Sequence, residues 1–114
     1  MGIPNSTHNT ASNAVAALGN YISLHTGAGG GTTGANEATG GSYARKTTTW
    51  TSTGAGANNG SVVNLPCAAG TYVEGGIWSA VTAGTFIGSA AFSGGSVVVS
   101  GSGGSIDVTP SITA

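Results

Sequence analysis

The chain has 114 residues, enough for one domain with one core and too few for a nucleotide domain beside a substrate domain. It carries two cations and three acids, for a net charge of −1. That argues against a nucleic-acid partner, because two cations neutralise few phosphates. The single cysteine, Cys67, forbids an intrachain disulfide and speaks against a zinc site.

Gly, Ser and Thr make up nearly half of the chain, a composition shared by disordered linkers and by β-rich proteins. Disorder by self-repulsion needs high net charge and low hydrophobicity, whereas 39% of this chain is hydrophobic and falls in short runs. No apolar run reaches the length of a membrane span. The opening "MGIPNS" fits a myristoylation pattern but lacks a polybasic second signal, so no membrane partner is expected. Near-zero net charge lets copies approach without repulsion, which suits a protein that works as an assembly.

In chain order, "ASNAVAAL" (11–18) is the first element, a predicted two-turn helix. Ser12 is its expected N-cap, Val15 and Leu18 share a face, and Gly19 is placed as the left-handed residue that ends it. "YISLHT" (21–26) reads as a strand with Ile22 and Leu24 on one face and Tyr21, Ser23 and His25 on the other. A polar stretch follows to Ser42. "YARKTTTWT" (43–51) is the second expected strand, "TGAGANNG" (53–60) a loop, and "SVVNL" (61–65) a third strand stopped by Pro66. "TYVEGGIWSAVTAGTFIGSAAF" (71–92) reads as a hairpin turning at Thr82-Ala83-Gly84. Gly75 and Gly76 inside it mark a bulge or a close backbone approach. "SVVVS" (96–100) and "SIDVTPSIT" (105–113) complete some seven short strands. Their spacing predicts an all-β fold, an antiparallel, jelly-roll-like β-sandwich over residues 1–114 with a short N-terminal helix.

Residues 29–34, "GGGTTG", are a literal G-x-G-x-x-G. The dinucleotide fingerprint requires a helix opening at its last glycine, and "ANEATGGS" has no helical periodicity. No cofactor is therefore expected. Catalytic pairings are equally thin. His8, His25, Asp107 and the serines could nominally form a triad, but no nucleophile elbow appears, and the histidines read as exposed or capping residues. Glu37 and Glu74 do not read as a glycosidase pair: Glu74 is expected exposed or paired with Arg45 or Lys46. Cys67, with no cation near it, reads as a small buried residue. No catalytic or metal-binding residue is predicted. Trp50, Trp78, Tyr43 and Tyr72 read as core or subunit interface before they read as a sugar-stacking face.

Two blocks carry a family resemblance. Thr33 to Arg45 matches T-G-A-N-E-x-x-G-G-S-Y-A-R after an L-S-L-H-T-type strand, and "GTYVEGGIWSAVTAGTFIGSAAFS" (70–93) matches a G-T…G-x-W-x-A-x-x-G-G-T-F-x-G hairpin. Both resemble small virion proteins of tailed phages that infect actinobacteria. The resemblance implies a non-enzymatic virion part that self-associates and binds the major capsid protein or tail proteins of the same particle. A capsid decoration protein is the preferred expectation, with a minor tail or tail-fibre protein that contacts the host surface as the alternative. It makes the long polar loop a contact element held by Asn36, Glu37 and Arg45, with Arg45 offering its fork to Glu37 or to a neighbouring subunit. The interface candidates are Asn36, Glu37, Tyr43, Arg45, Trp50, Tyr72 and Trp78.

Overall fold

The computed structural model describes residues 2–27 and 33–114. Most of the glycine motif, residues 29–32, lies outside the described residues. Among the described residues the helix α1 (Asn5–Ala16) precedes eleven short strands, and every strand pairing is antiparallel. The predicted all-β sandwich with a short N-terminal helix is the fold observed.

The helix begins earlier than the alanines suggest. Pro4 stands extended before it (φ −69°, ψ 158°), and its carbonyl accepts from the N–H groups of Thr7 and His8. Proline loses nothing there, since the N–H groups at a helix start have no partner within the helix. Ser12 is no cap: it is fully buried in mid-helix, where its Oγ accepts from Asn58. Leu18 is 60% exposed and does not share a buried face with Val15. Gly19 is needed for a different reason from the one expected. A Cβ there would come within 2.3 Å of the Trp78 carbonyl oxygen, so only glycine lets the chain pass so close to that strand.

A four-stranded sheet orders β2 (Lys46–Thr47), β1 (Tyr21–His25), β7 (Glu74–Trp78) and β8 (Phe86–Ala91). Three smaller sheets complete the fold. β3 (Trp50–Ser52) and β11 (Ser111–Thr113) flank β4 (Ala57–Gly60), β5 (Val63–Cys67) pairs with β10 (Gly104–Val108), and β6 (Gly70–Tyr72) pairs with β9 (Val97–Val99). The core lies between β1 and the β5–β10 pair. Ile22 and Leu24 pack there with Val63, Leu65, Ile106, Tyr72 and the buried Cys67.

Five expected strand limits are corrected. The first arm of the hairpin, expected as one strand from Thr71, breaks at Val73 into β6 and β7, which lie in different sheets, and 105–113 breaks at Thr109-Pro110 into β10 and β11, which also lie in different sheets. The run 43–51 is not one strand, because Thr48 turns the chain from one sheet to another. Its N–H bonds the Asn20 carbonyl, and its hydroxyl donates to the Ser61 carbonyl at 2.8 Å. The loop expected at 53–60 contains β4, whose poor strand formers are held by pairing on both sides and by the buried Asn58 side chain. Pro66 does not stop β5 but lies within it, opposite Ser105. Among the described residues β5 pairs on one side only, and an edge strand is where proline is tolerated.

Candidate functional site

Four of the residues singled out by the sequence, Glu37, Tyr43, Arg45 and Trp78, converge around β1. Beyond Thr26 the chain returns so that Glu37 bridges His25 and the Ala38 N–H donates to the Leu24 carbonyl at 2.8 Å. Among its described residues the return has two in the left-handed region. Gly34 (φ 71°) lies against the Trp78 ring, and Asn36 (φ 60°) is the type of non-glycine residue that tolerates this region best. Tyr43 then fills a gap in the β1 ladder. Its hydroxyl accepts from the Leu24 N–H at 3.3 Å and donates to Glu37 Oε2 at 2.7 Å.

Arg45 closes the arrangement. Nε and Nη2 form a fork on the two oxygens of Glu37, at 2.7 and 2.8 Å. Nη1 donates to the carbonyls of Ala80 and Ala83, at 2.9 and 2.8 Å, in the turn between β7 and β8. The guanidinium carbon sits 3.7 Å from the centre of the Trp78 ring, a cation–π contact. One side chain, 7% exposed, thus joins the return loop, the hairpin turn and an aromatic ring. Burial pushes the Glu37 carboxyl upward, but the bonds from Arg45 and Tyr43 outweigh it and hold the group below its ordinary value. Tyr43 is pushed well above the usual phenol range, first by burial and then by donating to Glu37.

Beneath the latch lies a second polar group. The Ala35 carbonyl can only accept, so His25 Nδ1 carries the hydrogen that bonds it at 2.8 Å. His25 Nε2 then accepts from the Ser23 hydroxyl at 2.8 Å, and Ser23 Oγ accepts from the Trp78 indole N–H at 2.9 Å. His25 is therefore neither exposed nor capping, as its place at a strand end suggested. It is fully buried, because the return loop covers the face of β1 opposite the core. Ser23 and His25 have the contact of a nucleophile and its base. Both are closed to substrate, and a backbone carbonyl stands where a triad places its acid. The contact is structural.

The other candidates lie elsewhere. Trp50 is half-buried on the core, with its indole N–H on the Gly19 carbonyl at 3.0 Å. Tyr72 is buried, its hydroxyl donating to the Ala68 carbonyl. Glu74 meets neither Arg45 nor Lys46; its carboxylate accepts from the Ser89 hydroxyl at 3.3 Å. His8 lies on α1, not in a tail, with Nδ1 2.9 Å from the Ala114 carbonyl oxygen. Six of the seven interface candidates thus direct their polar groups inward: Glu37, Tyr43, Arg45, Trp50, Tyr72 and Trp78. Asn36 is exposed, with its carbonyl accepting from the Thr26 N–H at 2.9 Å. Sequence reasoning missed Ser23 as the partner of both Trp78 and His25. The signal available was Gly76, which stands opposite Ser23 in β7 and leaves room for both side chains.

The family described as Podophage GP4 fiber I protein gp80 matches the chain over residues 5–110. No curated protein and no solved structure matches it. The match spans the helix, the latch and ten of the strands in full, and it favours the fibre alternative over capsid decoration.

Proposed function

The chain belongs to the podophage GP4 fiber I protein gp80 family, which makes it a structural component of a phage virion, and from that premise we propose that it is a tail-fibre module that contacts the host surface. The family match is the observation that carries this reading. Within it, the block from Thr33 to Arg45 supports a phage of actinobacterial hosts. The latch supports it physically: a module that must hold its shape outside the cell gains from a return loop fixed at both ends. No catalytic residue is assigned, and partners are sought among the tail proteins of the same particle.

Quantifying the chain against the major capsid protein in purified virions tests the proposal, together with antibody labelling in the electron microscope. A fibre gives a few to tens of copies and label at the tail. A copy number near that of the capsid subunits, with label over the head, would replace this reading with decoration.

A further inference from the structure

A strand at the edge of a sheet exposes a row of backbone donors and acceptors, and folded proteins guard such edges with charges, prolines or covering elements. Most edges here are guarded. β2 carries Lys46, β5 carries Pro66, and β10 carries Asp107. β3 and β11 lie against α1, with the Ser52 hydroxyl donating to Asn9 Oδ1 at 2.7 Å. β8 turns Phe86 inward onto Trp78.

β9 has no such guard. Among the described residues its only strand partner is β6, so on its far side alternate N–H and C=O groups are left without a ladder. Val99 packs on the core, while Val98 points outward at 69% exposure, the highest among the exposed large hydrophobic residues. Glycine-rich turns flank the strand on both sides, Gly94-Gly95 and Gly101 to Gly104. A Cβ at Gly94, Gly95 or Gly101 would meet nothing within 4 Å.

We infer that β9 is a docking edge for β9 of a second copy of this chain. Three observations select that occupant. A row of free backbone groups is satisfied by an extended strand rather than by a helix or a small ligand. No ionisable residue lies between Glu74 and Asp107, so two copies meeting here bring no like charges together and offer none to a charged partner. Antiparallel pairing of "SVVVS" with itself is self-complementary, placing valine opposite valine about Val98. Three residues cover far less than the roughly 800 Å² per partner of a standard interface, so the contact is weak and depends on concentration. The inference goes beyond the fibre reading and does not depend on it.

Sedimentation equilibrium of the purified full chain over a hundredfold concentration range tests it. The wild type is expected to associate reversibly. Val98→Lys is expected to weaken association at least tenfold with an unchanged circular dichroism spectrum. Val62→Lys, at a residue equally exposed outside β9, should associate like wild type. Ser96→Lys, beside the strand, repeats the test if Val98→Lys loses its fold. A wild type that stays monomeric, or edge variants that associate as wild type does, overturns the inference while leaving the virion location untouched.

Discussion

Arg45 meets Glu37 side-on, with Nε on one carboxylate oxygen and Nη2 on the other, and its remaining nitrogen holds the turn that carries Ala80 and Ala83. Removing the guanidinium strands a carboxylate that is largely shielded from water and frees two carbonyls. Arg45→Ala is expected to cost about 2–4 kcal/mol, the range for breaking a buried, hydrogen-bonded pair from one side. Arg45→Lys keeps the charge but not the fork, and is expected to recover less than half of that loss. Urea unfolding followed by tryptophan fluorescence measures both. A lysine variant as stable as wild type would show that charge alone, without the fork, holds the loop.

The same pair gives stability an acid limit. Glu37 titrates at about 4.5 when free, and lower in the folded chain. A carboxyl depressed by folding contributes stability that is complete above its unfolded value and lost as pH falls through its folded value. Wild-type stability should therefore show no Glu37-dependent change from pH 7 to about 5, and should fall below about pH 4.5 as the carboxyl protonates. Glu37→Gln starts less stable and lacks that component, while every other group is common to both proteins. The difference between the two unfolding curves across pH isolates it. A difference that stays constant down to pH 3 would mean that the Glu37 charge contributes nothing.

Alternation made β1 legible, and the turn residues at 82–84 placed β7 and β8 on either side of a hairpin, but neither signal showed the break at Val73 that sends β6 to another sheet. They could not reveal β4, where Ala57-Asn58-Asn59-Gly60 has no strand propensity of its own and is ordered by neighbours on both sides. Nor could they reveal the fate of His25. Alternation assigns a polar face to water, and here a return loop from ten residues further on covers that face and satisfies it. The fork of Arg45 on Glu37 was among the options that the family resemblance implied. Its hold on the 79–85 turn was not readable, because nothing local to Arg45 encodes a contact thirty-five residues away.

Asn58 joins the helix to the sheets. Its amide donates to Ser12 Oγ and to Asn13 Oδ1, and both Asn58 and Ser12 are buried. The helix sequence is rich in Asn, Ser and Thr and would not form alone at this length. Asn58→Leu removes the donor and leaves Ser12 buried without its partner, at an expected loss of about 1–3 kcal/mol. The helical part of the circular dichroism spectrum should melt at lower denaturant than tryptophan fluorescence reports for the sheets. Coincident melting with undiminished stability would count against Asn58 as the tie.

Gly76 and Gly88 are both glycines inside strands of the same sheet, yet the structure assigns them opposite outcomes. A Cβ on Gly76 would stand 2.5 Å from Ser23 Oγ and 2.7 Å from His25 Nε2, in the middle of the bond those atoms share. Neither neighbour can withdraw freely, because Trp78 also binds Ser23 and the Ala35 carbonyl holds the His25 ring. Gly76→Ala must therefore break a buried hydrogen bond or push β7 away from β1. The expected cost is above about 2 kcal/mol, as for overpacking combined with an unsatisfied buried polar group. At Gly88 a Cβ meets nothing within 4 Å. Alanine there restricts the unfolded chain and should leave stability unchanged or raise it by up to about 1 kcal/mol. Thermal melts of the two variants beside wild type separate the cases, with an expected fall of ten degrees or so for Gly76→Ala and none for Gly88→Ala. Equal effects at the two sites would mean that the Ser23–His25 contact is not what requires glycine at position 76.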